Sequence, residues 1–318
     1  MSTNIFLVDQ GIHPLVLESL RAPEFHLCLR DGPEGACALV TQDRAVDKAM
    51  LEAAGRTLRA IFPLEPGSAE IATTEVPVHP IGNDGLLGVA EHAVLLMLAL
   101  AKRLPWILER TRNQEWVAER AMPILTSQKN YTYNWIGLQE FRVLRNRTVG
   151  LVGLGYVGRA TARILKGFSA GVIYYDPRRL SRAREVELGV EWRELDDLLE
   201  QSDYVSLHHR FIEGPDGNDK QFGASAFRRM KRTAFFINTA RGRMVDEDAL
   251  CEAVRSGEIA GAALDVFRYE PLPDDHPFFD LPADKMILTP HLAGVPNREA
   301  AQAMVREIVE TLAVLNRG

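Results

Sequence analysis

Residues 148–160, TVGLVGLGYVGRA, restrict the possible folds more than any other stretch of this chain. An apolar, β-branched run ends in Gly153, Gly155 and Gly158, in G-x-G-x-x-G spacing, and gives way at once to a helical pattern. The first glycine suits a tight strand-to-helix turn, the second leaves room for a pyrophosphate, and the third lets the helix pack close to the sheet. The N-terminus of such a helix offers free N–H groups and partial positive charge to an anion. The next strand-like run, GVIYYD, ends in Asp176, 18 residues after Gly158. A carboxylate there can accept both ribose hydroxyls of an adenosine and repels a 2′-phosphate, which favours NAD over NADP. Arg178 and Arg179 just beyond it leave some room for the phosphorylated cofactor.

The rest of the chain has the rhythm of βαβ units. NIFLV, ACALVT and TLRAIFPL read as strands, with HPLVLESLR and DKAMLEAAG as helices between them, followed by the apolar piece VPVHPIG and a long helix from GVAEHAV onward. A second series follows residue 140: TVGLVG, GVIYYD, YVSLHH, AFFINTA, AGAALDVF and MILTPH as strands, with YVGRATARILKGF and MVDEDALCEAVRSG as helices. An amphipathic helix from near Asn297 closes the chain. The 113–141 stretch, rich in aromatics, and the 213–219 stretch, EGPDGND, read as surface elaborations.

A net charge of −6 without any lysine or arginine block lacks the electrostatic footprint of nucleic-acid or anionic-membrane binding. Cys28, Cys37 and Cys251 have no metal-ligand spacing and no disulfide pattern, so neither a metal site nor a secreted framework is expected. MSTNIFLVDQ reads as a first strand rather than a signal peptide, and AVLLMLALA falls far short of a bilayer span. A cytoplasmic protein is expected.

Five segments, in order, resemble the D-isomer-specific 2-hydroxyacid dehydrogenase family: GVAEHAVLLMLAL, VGLVGLGYVGRATARIL, INTARGRMVDEDAL, GAALDVFRYEPL and ILTPHLAG. The resemblance implies two doubly wound α/β domains with parallel sheets, a Rossmann cofactor domain inserted into a flavodoxin-like catalytic domain. It divides the chain at about 1–100, 101–290 and 291–318, and implies a homodimer acting on a small 2-keto or 2-hydroxy acid. It makes Arg241, Glu270 and His291 the catalytic set. Hydride addition to a 2-keto acid builds negative charge on the carbonyl oxygen, which needs a proton donor and a cation. His291 would give or take that proton, Glu270 would hold the imidazole and favour its charged form, and Arg241 offers a fork for a carboxylate. The cofactor contacts carried over are the amides of Tyr156 and Val157 at the glycine turn and Asp176 at the ribose. His209, Thr239, Ala240, Arg241, His291 and Gly294 would line the nicotinamide side, with Asp265 on the carboxamide.

The chain departs from the family where the substrate would be held. In FPLEPGSAE the expected carboxylate-binding loop keeps Gly67, but Glu65 and Pro66 stand where small residues are usual, and proline has no N–H to donate. Glu65 either faces solvent or opposes an anionic substrate. His79 falls in the second substrate loop, and Arg210 replaces a usual proline, as an extra anion contact or a surface residue. The aromatics of 113–141 either pack an interface or reach a neighbouring subunit's cleft. Formate dehydrogenases use glutamine where this chain has Glu270, and the Tyr-x-x-x-Lys of short-chain dehydrogenases does not occur. An NADH-sensing corepressor on the same scaffold is the alternative from a different class.

Overall fold

A computed structural model describes residues 3–9, 12–42, 44–64, 70–81, 84–117 and 122–316. The chain divides into two compact units, Met1–Gly88 with Gly294–Gly318, and Val89–Ala293. The division falls at residue 89 and again after 293, rather than near 100 and 290 as expected.

In the smaller unit, β1 (Thr3–Leu7), β2 (Leu27–Arg30), β3 (Ala38–Thr41) and β4 (Ala60–Pro63) form a parallel sheet in the order β2-β1-β3-β4 among the described residues. β3, inside the sheet, and β4, at its end, are buried along their whole length, so both read as unbroken apolar runs. β2, LCLR, alternates half-buried and exposed positions at the edge, a weak signal that the strand pattern above passes over. VPVHPIG contributes only one bridge, Ile61 to Val78, because Pro77 and Pro80 have no N–H for a ladder. Helix α1 (Pro14–Arg21) and the last helix, α10 (Arg298–Leu315), cover one face. Ala301, Val305, Ile308 and Leu312 of α10 recur at helical spacing and are buried against Ile5, Val40 and Phe62. Asn297 caps α10 by accepting from the Ala300 N–H at 2.8 Å. On the other face α2 (Lys48–Ala54) adds Ala54 to a second cluster with Leu39 and Ile61.

The larger unit opens with α3 (Asp84–Lys102), which begins in the smaller one, and α4 (Leu104–Arg112). Its strands are β5 (Thr148–Val152), β6 (Gly171–Tyr175), β7 (Val190–Trp192), β8 (Tyr204–Leu207), β9 (Phe235–Asn238), β10 (Gly261–Leu264) and β11 (Met286–Leu288). They pair in parallel in the order β11-β10-β9-β8-β5-β6-β7 among the described residues. Helices α5 (Tyr156–Gly167), α6 (Arg182–Leu188), α7 (Leu195–Gln201), α8 (Ala224–Arg229) and α9 (Glu247–Arg255) supply the connections. The strand order reverses between β5 and β8, and a doubly wound sheet binds ligands at the C-terminal ends of strands beside that switch. β7 is a three-residue edge strand that periodicity does not reveal. No helix among the described residues is long and apolar enough to cross a membrane.

Candidate active site

The glycine turn sits between the end of β5 and the start of α5. Gly153 has φ +95°, and a Cβ at Gly158 would lie 2.4 Å from the Gly153 carbonyl oxygen, so the third glycine is demanded by contact between turn and helix. A Cβ at Gly155 would meet nothing within 4 Å, and Gly155 gives α5 no capping side chain. The first amides of α5 have no intrahelical acceptor. Open space in front of uncapped amides is what a diphosphate requires, and the turn therefore fits the cofactor. Asp176, after β6, accepts from the Leu154 N–H at 3.0 Å and from the Arg178 N–H at 2.9 Å. Two backbone donors hold the carboxylate at the turn while lone pairs remain for sugar hydroxyls.

On the far side of the switch point, His208 and His209 follow β8. His209 Nδ1 lies 3.3 Å from the Val152 carbonyl oxygen and Nε2 3.0 Å from Gln221 Oε1. Both nitrogens of His208 are shielded from solvent and lack a hydrogen-bond partner among the described residues. Burial pushes the His208 imidazole down to about 3, with a smaller contribution from His209, so it is neutral at ordinary pH. Thr239, after β9, is buried with its hydroxyl unpartnered among the described residues, and the Ala240 N–H donates to Asn238 Oδ1 at 2.9 Å.

Arg241, Glu270 and His291 follow β9, β10 and β11, and together they line one cavity of about 240 Å³ with Phe211, Gly242 and Phe267 among its other walls. Gly242 makes this possible. A Cβ there would sit 1.9 Å from the Phe267 carbonyl carbon, so only glycine lets the Arg241 turn touch the loop carrying Glu270. Arg241 is exposed and donates from Nη1 to its neighbour's Ala240 carbonyl at 2.8 Å, leaving most of its five donors for a ligand. Glu270 Oε1 accepts from the Phe267 N–H at 2.9 Å, and Oε2 accepts from His291 Nδ1 at 2.6 Å. The carboxylate thus turns Nε2 of the imidazole toward the open side.

His291 has φ +50°, a left-handed conformation that a non-glycine residue holds only when its surroundings enforce it. Asp265 enforces it here. Its carboxylate accepts from the Leu292 N–H at 3.1 Å and the Ala293 N–H at 2.9 Å, immediately beyond the histidine. Thr289 Oγ1 donates to Asp265 Oδ1 at 2.6 Å and accepts from His92 Nε2 at 3.0 Å. Burial lowers the His92 imidazole's proton affinity, and the Asp265 charge partly opposes it.

A family model for the D-isomer specific 2-hydroxyacid dehydrogenase NAD binding domain matches residues 94–293, well over half of the chain. The chain belongs to the D-isomer specific 2-hydroxyacid dehydrogenase family. Among relatives of this family, a glyoxylate reductase of Korarchaeum cryptofilum is 37% identical over 279 residues, covering 86% of this chain and 77% of that one. A D-3-phosphoglycerate dehydrogenase of Archaeoglobus fulgidus is 30% identical over 300 residues, covering 91% of this chain but 51% of that one. The crystal structure of a D-isomer specific 2-hydroxyacid dehydrogenase from Lactobacillus delbrueckii ssp. bulgaricus, in NAD-complexed form, superposes with a TM-score of 0.69. At 22% identity, and covering 99% of this chain and 98% of that one, it shows the shared fold.

Membership of the 2-hydroxyacid dehydrogenase family makes the chain a nicotinamide-dependent oxidoreductase of 2-hydroxy and 2-keto acids. Of the residues expected at its site, Gly153, Gly155, Tyr156, Val157, Gly158, Asp176 and His209 gather around the β5–β8 switch point. Asp265 is fully buried, with Oδ1 accepting from Thr289 and Leu292 and Oδ2 from Ala293. His79 lies in the smaller unit, beside Phe62, with Nε2 shielded and unpartnered among the described residues. Gly294 opens that unit's C-terminal segment. Pro66, Gly67 and Glu65 lie outside the described residues. Sequence reasoning missed Gly242, Thr289 and His92. The only hints were a glycine directly after Arg241 and a threonine two places before His291.

Proposed function

We propose that this chain interconverts a small D-2-hydroxy acid and its 2-keto acid with NAD, with His291 as acid/base, Glu270 as its partner and Arg241 as the carboxylate and carbonyl anchor. The observation that carries the reading is the 2.6 Å bond between His291 Nδ1 and Glu270 Oε2 in the cavity that Arg241 also lines. When bound, the cofactor supplies the hydride in reduction and takes it in oxidation. In the reductive direction His291 Nε2 gives its proton to the substrate oxygen as negative charge develops there. Glu270 keeps Nδ1 protonated and the ring aimed. Arg241 binds the substrate carboxylate through donors not used on Ala240. The hydroxy acid returns its proton to Nε2 in the reverse direction.

Asp176 supports NAD as the cofactor. The unpaired Cys28, Cys37 and Cys251 support a reducing, cytoplasmic setting. A second copy of the chain is the partner we assign to the 122–141 surface, where Leu125, Met122 and Tyr133 are 93%, 77% and 71% exposed. Trp116 and Trp135 stiffen its base, with ring centroids 4.6 Å apart.

The test is reduction of glyoxylate, hydroxypyruvate, pyruvate and bulkier 2-keto acids with NADH, for the wild type and His291→Asn. Turnover of a small member is expected, with a loss of at least ~10²-fold in the variant, the worth of a positioned acid/base. Tight NADH binding without turnover of any acid would overturn the reading and favour the sensor.

A further inference from the structure

Two arginines follow Asp176, and the structure treats them differently. The Arg178 side chain is exposed and makes no ion pair among the described residues. Arg179 is held by Glu185 of α6. Arg179 Nε donates to Glu185 Oε1 at 2.9 Å and Nη2 to Oε2 at 3.2 Å, a fork-to-fork pair, and its guanidinium lies 5.3 Å from the centre of the Trp192 ring. The Glu185 side chain has no exposed surface, whereas that of Arg179 is 54% exposed. The buried carboxylate also accepts from the Tyr174 hydroxyl at 3.2 Å and from Arg182 Nη1 at 3.3 Å. The hydrogen bonds from Arg179, more than those from Arg182 and Tyr174, bring its pKa down to about 2 against the opposing effect of burial. Glu185 is therefore charged at any physiological pH, and titration does not release its hold.

The same bonds fix the segment between β6 and α6. Tyr174 Oη accepts from the Leu180 N–H at 2.9 Å, and Trp192 Nε1 donates to the Asp176 carbonyl oxygen at 3.2 Å. Asp176 thus stays at the ribose position while the adjacent cation is drawn to the α6–β7 side. A 2′-phosphate would meet the carboxylate of Asp176 without help from Arg179.

We propose that Glu185 is a specificity-determining residue of this enzyme: by sequestering Arg179 against Trp192, it makes the nucleotide pocket reject NADP and accept NAD. This rests on the cofactor reading above, in which Asp176 faces the adenosine ribose. Glu185 touches no substrate and acts only through Arg179, so its effect belongs to binding and not to chemistry.

Calorimetric titration of the full-length chain with NAD⁺ and with NADP⁺ tests this without any turnover. Glu185→Gln keeps the side chain's shape and its acceptor for Tyr174 but gives up the charge. NADP⁺ should then bind about tenfold tighter, the worth of one new charge-assisted contact, with NAD⁺ affinity within about twofold of wild type. Arg179→Ala should leave NADP⁺ affinity unchanged in the wild-type background and abolish the gain in the Glu185→Gln background. An unchanged NADP⁺ affinity in Glu185→Gln would overturn the proposal. So would a loss of NADP⁺ binding in Arg179→Ala alone, because Arg179 would then already be a phosphate contact. That single variant decides the matter should Glu185→Gln fail to fold. If NAD⁺ itself does not bind the wild type, the cofactor reading fails and takes this proposal with it; if NAD⁺ binds normally, only the sequestration is at stake.

Discussion

His208 shows how much one side chain can reveal about a site it was not expected to join. It follows the strand opposite the glycine turn and stays uncharged because burial, not a partner, governs it. The imidazole binds a proton near pH 6.5 in the unfolded chain but only near 3 in the folded one. Below pH 6.5 the unfolded state takes up more protons, so stability is complete above that pH and declines as the pH falls towards 3. The slope from such a proton reaches at most about 1.4 kcal/mol per pH unit. Burial lowers His92 and His209 in the same direction. Unfolding midpoints should therefore be level from pH 7.5 to about 6.5 and fall from there to pH 5 for the wild type. They should fall less steeply for His208→Gln, and equal slopes would show that the histidine is solvated.

At the scale of elements, the ends of β10 and β11 act as one unit. Their parallel register sets Leu264 against Leu288 and so brings Asp265 beside Thr289. A hydroxyl from the threonine and two amides beyond His291 then satisfy a carboxylate that has no other solvent, which is the condition for burying it at all. Thr289→Val keeps the shape but removes the donor to Asp265 and the acceptor for His92. The expected cost is about 1–3 kcal/mol of stability, read as a lower unfolding midpoint. Because the strained His291 loop hangs on the same carboxylate, turnover should drop more than NADH affinity does. A variant with wild-type melting and rate would show that the network does not hold the loop.

For the molecule as a whole, the chain leaves the smaller unit within α3 and re-enters it at Gly294, so that α10 completes a core begun by the first strands. Deleting the last helix would expose Ile5, Val40 and Phe62, which makes the smaller unit depend on both chain ends. The 122–141 surface carries the assembly prediction. Sedimentation should give twice the chain mass for the wild type, and Leu125→Asp, which places a charge on the most exposed apolar side chain there, should shift the population to monomer. A monomeric wild type would remove the partner assigned to that surface.

Most of the sheet was legible in the sequence, because strands buried on both faces are written as apolar runs and the glycine spacing records a local turn. His291, Glu270 and Arg241 were legible as residue types after consecutive strands. The edge strands β2 and β7 were not, since each is short and its exposed positions break any apolar run. Nor could the chain's order of letters reveal that Glu185 holds Arg179, that Gly242 touches Phe267, or that Thr289 satisfies Asp265. Periodicity and turn chemistry act over a few neighbours and are written locally. Which carboxylate meets which donor depends on strand order and register for Thr289 and Asp265, 24 residues apart, and on how α6 packs beside β7 for Arg179 and Glu185, and only the folded chain sets those.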